Sequence, residues 1–347
     1  MNAPDHLVAE AAHRLFAQHA PASAGVESET PSAAFWDDLA ETGLDKVLAG
    51  GGDTGFHDTV SVLRAAGYHA VAAPIAEMVL AQWLAAIAGW DEEREFATVF
   101  LDGRPAPAGG RGVCGPFERT AWGRNAGVLY AIAELPEGAR IVRIDTAGAA
   151  ITEGRNLAGE PRDRIAFGTP PAFRHSTMKI DAQEVYAVAA LLRAAQMAGA
   201  MEHALELAIG HANTRVQFGR AIGKFQAVQQ MLAQLAGHAA AAAAAVDLGA
   251  DGLAAKDGLL EAAAAKSRAG EAAGFAAEIA HQVIGAMGFT LEHSLHRYTR
   301  RLWSWRDEYG NESFWNARLG EAAVGAGGSG LWGLIADRPW LSYGDPG

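Results

Sequence analysis

The sequence predicts a mainly helical protein in which a small β domain separates two helical regions. Residues 6–90 place apolar side chains three and four positions apart, which is the period of an amphipathic helix. Residues 92–177 instead contain short β-prone runs between glycine and proline turns. From Asp181 the helical period returns in long segments. We therefore expect three domains, at residues 1–91, 92–177 and 178–347.

The first helical region shows its period in Leu7, Ala11 and Leu15, and the glycines of residues 50–52 interrupt it. Gly43 stands where a helix would end before a turn. The β domain follows from three runs of strand-forming residues. They lie at residues 97–101, 128–133 and 140–144.

The last region is expected to hold long helices that end near Trp332, the first of them over residues 183–213. Residues 249–252 carry two glycines and form the clearest internal break in this pattern. The alanine run at residues 239–245 is interpreted as bundle interior, because alanine favours helix and allows close packing.

Composition limits the partners and the location of the protein. Half of the 347 residues are hydrophobic, which allows a large core, and a net charge of −12 opposes nucleic-acid binding. The most apolar stretch, residues 79–90, is shorter than the roughly 20 residues that span a bilayer. Asp5 and Glu10 do not fit a secretory signal. We expect a cytoplasmic protein without a membrane segment, in which the single cysteine, Cys114, is packed.

Two segments carry the functional information. Residues 215–236 read RVQFGRAIGKFQAVQQMLAQLA, and the beginning of this segment is too polar for an ordinary core helix. Residues 282–289 read QVIGAMGF and precede Arg300 and Gly310. Together they resemble the signature of the acyl-CoA dehydrogenase family, and residues 35–44 are more loosely similar to it. The resemblance implies a helical amino-terminal domain, a middle β domain that is shortened here, and a carboxy-terminal four-helix bundle.

The resemblance also implies that the chain binds FAD. Arg215 offers a planar fork of donors to a pyrophosphate, and in the family the matching arginine reaches FAD held mainly by a neighbouring subunit. Gly285 and Gly288 would let backbone N–H groups approach phosphate oxygens. A polar loop at the first segment and a plain helix end at the second are the alternative interpretations. The implied cofactor contacts are Arg215, Gln217, Phe218, Phe225, Gln226, Gln282, Gly285 and Gly288.

The catalytic base of the family is a glutamate that removes the proton α to a thioester carbonyl. Its commonest position is occupied here by Tyr309, and its other known position by Ala189. Glu308, or Asp307 beside it, could be presented by a small backbone shift. Glu308 is the first candidate base and Tyr309 the second, although an unperturbed tyrosine pKa near 10 suits a base poorly. The candidate substrate contacts are Arg193, at a CoA phosphate, and Gly310.

Two functions follow from the resemblance. In the first, the chain performs FAD-dependent α,β-dehydrogenation of an acyl-CoA, in fatty acid or steroid side-chain breakdown, and passes electrons to an electron-transfer flavoprotein. In the second, it is a non-catalytic subunit that completes the FAD site of a full-length acyl-CoA dehydrogenase. A shortened middle domain together with a missing base is what such an eroded partner should show. The chain would accordingly form a homo-oligomer or a heteromer.

Residues 297–306 combine four arginines with Trp303 and Trp305. We expect the tryptophans to pack and the arginines to pair with Asp307, Glu308 and Glu312, or to contact cofactor or CoA phosphates. Three nearby histidines lack the spacing of a metal site, so no metal is expected. They are His281, His293 and His296.

Overall fold

The computed structural model describes most of the chain, in the ranges 3–20, 31–50, 55–91, 93, 96–102, 106–107, 115–256 and 258–336. Cys114, Gly51 and Gly52 lie outside the described residues, so the expectations for them stay predictions.

The described amino-terminal residues form four α-helices. Ser32 caps the second helix by accepting a hydrogen bond from Phe35 N, and Gly43 ends it with a left-handed φ of 67°. The Gly43 N–H donates to Leu39 O, so the predicted helix end is confirmed. The helices are α1 (Ala3–Gln18), α2 (Ala33–Thr42), α3 (Gly55–Tyr68) and α4 (Ile75–Ile87).

In the described residues that follow, eight strands form two sheets. They are β1 (Ala97–Phe100), β2 (Ala106–Pro107), β3 (Phe117–Ala121), β4 (Val128–Leu135), β5 (Gly138–Asp145), β6 (Ala150–Thr152), β7 (Arg162–Ala166) and β8 (Phe173–His175). The first sheet has the order β1-β4-β5-β8 with β2 also on β4, and the second has the order β3-β7-β6. β4 is buried on both faces because its alternate residues enter two cores. Tyr130 and Ile132 face the helical core, whereas Leu129 and Ala131 join Ile165 between the sheets.

The described carboxy-terminal part is the helical bundle that the sequence predicts. It contains three long unbroken helices, a shorter one, and a last helix that is interrupted at Gly327, where φ is 68° and ψ is 170°. α5 is the central helix, which packs against α3, α6, α7 and α8. Asp181 caps α5 by accepting a hydrogen bond from Gln183 N at 2.8 Å. The elements are α5 (Ala182–Thr214), β9 (Val216–Gln217), β10 (Arg220–Ala221), α6 (Gln226–Ala254), α7 (Leu259–Ile284), α8 (Leu295–Asp307) and α9 (Glu312–Ala336).

The predicted break at residues 249–252 was wrong, because α6 continues to Ala254. Gly249 and Gly252 serve close packing instead of a turn. A Cβ at Gly249 would lie 2.6 Å from Leu191 Cδ1, and one at Gly252 would lie 2.9 Å from Gly258 Cα. Glycine lets these helices approach each other at a cost in helix propensity.

The alanine run of α6 is interior on one face only. Ala239 and Ala242 are buried, whereas Ala240 and Ala244 are exposed. By length and composition α6 is the one described helix that could cross a membrane, and 22% of its most apolar window is buried within the chain. It packs against α5 and α7 through the covered face.

Candidate functional site

The helix order brings both family-like segments to one end of the bundle. The carboxyl end of α5, the amino end of α6 and the carboxyl end of α7 meet there, because the three helices run alternately up and down. The other candidate residues lie far from this end. Along α5, the 22 residues from Arg193 to Arg215 span about 33 Å at 1.5 Å per residue.

A two-stranded hairpin between α5 and α6 holds the first segment. Arg215 N donates to His211 O, and Ile222 N donates to Arg215 O, both at 2.9 Å. Phe218 and Gly219 form the turn with positive φ angles of 53° and 79°. Positive φ is uncommon for a phenylalanine, and its ring is 91% exposed at the hairpin tip. The fold thus holds an apolar ring in solvent, where it can contact a group outside this chain.

The residues around the hairpin suit the phosphate and adenine end of a dinucleotide. Arg215 and Gln217 are exposed donors beside the start of α6. Phe225 occupies the N-cap of α6 without a side-chain capping bond, so the first N–H groups of this long helix remain available to an anion. The guanidinium of Arg220 lies 4.1 Å from the centre of the Phe225 ring, a contact that the sequence analysis missed. Gln226 is exposed in the first turn.

The second segment forms the end of α7. Gly285 caps the helix with φ 76°, and a 3₁₀ turn over Gly285–Phe289 follows. Gly288 is buried, and a Cβ there would lie 3.1 Å from the Nδ1 atom of His281. The His281 ring stacks on the Phe289 ring, and the two ring centres are 3.9 Å apart. Burial lowers the pKa of His281. Gln282 is exposed on the outer face of the helix end.

The turn after α8 carries the candidate base residues and is held rigidly. Tyr309 and Gly310 have positive φ angles of 54° and 87°. Lys266 is fully buried in α7, and its Nζ donates to Arg306 O and Gly310 O, each at 2.7 Å. Trp315 Nε1 donates to Tyr309 O at 2.9 Å. Three carbonyl groups in the turn and in the last turn of α8 therefore accept hydrogen bonds from Lys266 and Trp315, which holds this backbone in place.

Glu308 lies in a buried ion-pair network, so its carboxylate is not a free base. Its Oε1 accepts from Arg162 Nε at 2.8 Å, and its Oε2 lies 3.0 Å from Arg193 Nη2. Burial alone would raise the pKa of Glu308, but the two arginines outweigh it and lower the pKa to about 2. A carboxylate this acidic holds a proton weakly, so the expectation that Glu308 is the base disagrees with its environment.

Tyr309 and Arg193 also differ from their expected roles. The Tyr309 hydroxyl donates to Glu77 Oε1 at 3.0 Å, and burial raises the Tyr309 pKa well above 10, which opposes its action as a base. Arg193 is 2% exposed and pairs with Glu77 at 2.5 Å and with Glu308. A CoA phosphate cannot reach a guanidinium buried in this way. Ala189 is fully buried within α5.

The ion pairs around Glu308 form one continuous chain of alternating charges. Glu160 pairs with Arg162 and Arg301, each at 3.1 Å, and it also accepts a hydrogen bond from Trp305 Nε1 at 3.0 Å. The sequence analysis missed Glu77, Glu160 and Arg162 because they lie far along the chain from Glu308. In order, the chain is Glu77, Arg193, Glu308, Arg162, Glu160 and Arg301.

A cavity of about 250 Å³ lies beside this network, below the roughly 300–1,000 Å³ of most small-molecule sites. Tyr186, Glu308 and Tyr309 line it, together with the exposed carboxylates Asp102 and Asp307. The cavity is smaller than a site for a flavin ring together with an acyl thioester would be, and its lining is charged. The donors at the hairpin end do fit the phosphates of a dinucleotide.

The arginines of residues 297–306 only partly follow the expected pairing. Arg306 binds Glu312 at 2.6 Å as predicted, whereas Arg301 pairs with Glu160 and Arg300 donates to Leu157 O at 2.7 Å. Trp305 is buried, and Trp303 is 36% exposed. Within the described ranges, no three acidic, histidine or cysteine side chains are placed to hold a metal ion.

Comparisons with known proteins give a consistent result. The family description "Acyl-CoA dehydrogenase, C-terminal domain" matches residues 179–306. The chain is 32% identical to acyl-CoA dehydrogenase FadE34 of Mycobacterium tuberculosis over 59% of its length and 29% of FadE34. It is also 32% identical to acyl-CoA dehydrogenase IpdE2 of Mycolicibacterium smegmatis over 54% of its length and 60% of IpdE2. The chain thus spans less than two thirds of either relative.

The fold agrees over nearly the whole chain with that of a solved structure. The ChsE4-ChsE5 complex from Mycobacterium tuberculosis contains a chain that matches with a TM-score of 0.80 and 22% identity. The match covers 93% of this chain and 98% of that one. Residues 179–306 are thus similar to the carboxy-terminal domain of acyl-CoA dehydrogenases, and the chain as a whole has the fold of the matched solved structure.

Proposed function

We propose that this chain is the cofactor-completing subunit of a heteromeric acyl-CoA dehydrogenase. It supplies Arg215, Gln217 and Phe218 to an FAD held mainly by a full-length partner chain. The carrying observation is the distance of about 33 Å along α5 between these residues and Arg193. One end offers exposed donors for a dinucleotide, whereas the other end has its candidate base neutralised within ion pairs.

In this role the residues of the hairpin end bind and orient a cofactor. Arg215 would pair with the pyrophosphate through its guanidinium, and the uncapped start of α6 would add backbone N–H donors. Phe218 would pack against the partner or the dinucleotide and leave solvent. Gln282 and Gly285 would lie close by at the end of α7. FAD, when bound, supplies the acceptor for the β-hydride of the acyl-CoA, and electrons would pass to an electron-transfer flavoprotein.

Two further observations support a partner chain. The similar solved structure is a complex of two proteins, ChsE4 and ChsE5. α6 is apolar, yet only 22% of its most apolar window is buried within this chain, which leaves bundle surface for a second subunit to cover. The substrate class would be an acyl-CoA from fatty acid or steroid side-chain breakdown, in the cytoplasm.

A second candidate function is dehydrogenation by this chain alone. The observation that favours it is Asp307, an exposed carboxylate that lines the 250 Å³ cavity beside Tyr186 and Tyr309. Asp307 would then be the base in place of Glu308. An Asp307→Asn change would abolish flavin bleaching by acyl-CoA while leaving the flavin bound.

The experiment that separates the two candidates is co-purification with a flavin spectrum. The chain is purified alone and after co-expression with a full-length acyl-CoA dehydrogenase that has its glutamate base. The first proposal predicts a colourless chain alone and a yellow complex. An Arg215→Met chain should lower the flavin content of that complex at least tenfold, and Arg164→Met, a surface change in β7, should not alter it. A yellow chain that bleaches with an acyl-CoA on its own would refute the partner role.

A further inference from the structure

Two histidines of the amino-terminal helices place their ring nitrogens side by side. His13 lies in α1, and His69 directly follows the last residue of α3. The Nδ1 atom of His13 and the Nε2 atom of His69 are 3.1 Å apart. We propose that this histidine pair binds a divalent metal ion of the Zn²⁺ type, which fastens α1 to the end of α3. The pair is separate from the three histidines near α8 considered above.

The distance between the two nitrogens suits an ion that both rings bind. Zn–N bonds in proteins are about 2.0–2.1 Å long, so two nitrogens 3.1 Å apart subtend an angle of about 100° at the ion. That angle lies between the roughly 90° of octahedral and the roughly 109° of tetrahedral coordination. Neutral imidazole is a ligand that suits Zn²⁺, Ni²⁺ and Cu²⁺. Without an ion, the same two atoms share a hydrogen bond in which one ring donates and the other accepts.

The two rings are held in place by their neighbours. The Tyr68 ring makes edge contacts with both, and its centre lies 5.4 Å from that of His13 and 5.0 Å from that of His69. The backbone of His69 is fixed as well. Its N–H donates to Ala65 O at 3.0 Å, and the next residue, Ala70, ends the helix with a left-handed φ of 48°. Ligands on rigid helices and helix ends give a metal site a defined geometry.

A carboxylate next to the histidine pair favours a cation. The Tyr68 hydroxyl, in contact with both histidines through its ring, donates to Glu206 Oε2 at 2.5 Å. Glu202 lies one helical turn earlier in α5 and pairs with Arg64 at 2.5 Å, whereas Glu206 binds the neutral phenol of Tyr68. The negative charge of Glu206 therefore acts on the space beside the two rings, where it lowers the energy of a bound cation.

The ion would strengthen an interface that is otherwise apolar. α1 packs chiefly against α3 and buries Ala12, Leu15 and Phe16. Within the described ranges no third histidine, cysteine or carboxylate completes a ligand set, so water takes the remaining positions and the ion exchanges freely. Movement of α1 away from α3 separates the two ligands. The ion therefore binds only the closed form and suppresses the opening of α1 by the factor 1 + [Zn²⁺]/Kd.

The test uses ZnCl₂ and the full chain, with His13→Gln, His69→Gln and a matched control, His57→Gln. His57 is a partly exposed histidine of α3 that pairs with Asp251 at 3.2 Å instead of with a second ring. Titration calorimetry should show a zinc site in the parent and in His57→Gln that both other variants lack. At a zinc concentration of 100 times Kd, hydrogen exchange of the α1 amides should slow about 100-fold in the parent and in the control only.

Two outcomes would overturn the proposal. Equal zinc binding by all four proteins would show an adventitious ion only. A zinc site that depends on both histidines but leaves the exchange of α1 unchanged would show that the ion does not fasten the helix. His13 is exposed, so His13→Gln decides the test by itself if His69→Gln does not fold. Neither FAD nor a partner chain takes part, so these results are independent of the proposed function.

Discussion

A very close backbone contact between α3 and α5 gives a quantitative prediction for Gly199 in α5. A Cβ built at Gly199 would lie 1.9 Å from Arg64 O of α3. Ordinary contact begins near 3.4 Å, so Gly199→Ala requires the two backbones to separate by about 1.5 Å. Gly67 of α3 meets α5 as closely, with its Cβ position 1.9 Å from Gln196 O. Backbone atoms cannot rotate away, so we expect a loss of about 3 kcal/mol or more in the free energy of unfolding.

Gly210 in the same helix provides the matched control. A Cβ at Gly210 meets nothing within 4 Å. Gly210→Ala should therefore stabilise the protein by about 0.5–1 kcal/mol, the difference in helix propensity between the two residues. The assay is guanidinium unfolding of both variants, followed by circular dichroism. Equal midpoints for the two variants would refute the reasoning that α3 and α5 touch through their backbones at Gly199.

Three further predictions concern single residues. Lys266 has its pKa lowered by burial to about 7, so stability should rise from pH 7 to pH 10 as the folded state loses a proton that the unfolded state keeps. This rise in the free energy of unfolding is on the order of 4 kcal/mol, and Lys266→Met should remove it. Unfolding midpoints measured from pH 7 to pH 10 check this. Burial, followed by the charges of His13 and His203, lowers the pKa of His69 to about 4, so stability should fall as the pH drops from 6.5 to 4. His69→Gln should make the acid unfolding curve shallower, and an unchanged curve would contradict this. Gly43→Ala should cost about 1 kcal/mol in thermal unfolding, because its left-handed φ of 67° disfavours any other residue although the space is open.

The features that the sequence predicts correctly are those set by short-range patterns. The period of α5 and the end of α2 at Gly43 each depend on residues within a few positions of one another. The misplaced break at residues 249–252 shows the limit of such patterns. Glycine there satisfies a tertiary contact with Leu191, more than fifty positions away, which no local pattern contains.

The environment of Glu308 could not be predicted for the same reason. Its partner Arg162 is separated from it by 146 positions, and Glu77 is separated from Tyr309 by 232. From sequence alone, a glutamate next to the usual base position favours catalysis. Only the folded arrangement reveals that two arginines already neutralise that carboxylate.

The continuity of α5 fixes the distance and the relative direction of the hairpin and the buried ion pairs of Arg193. One inserted residue would rotate the hairpin by about 100° and advance it by about 1.5 Å relative to the buried half of the helix. The Phe218 ring would then point at different neighbours, although every contact of Arg193 would survive. An insertion of seven residues would nearly restore the direction but displace the ring by about 10 Å. The number of residues between Arg193 and Arg215 thus fixes both the direction and the position of the hairpin relative to the buried half of α5.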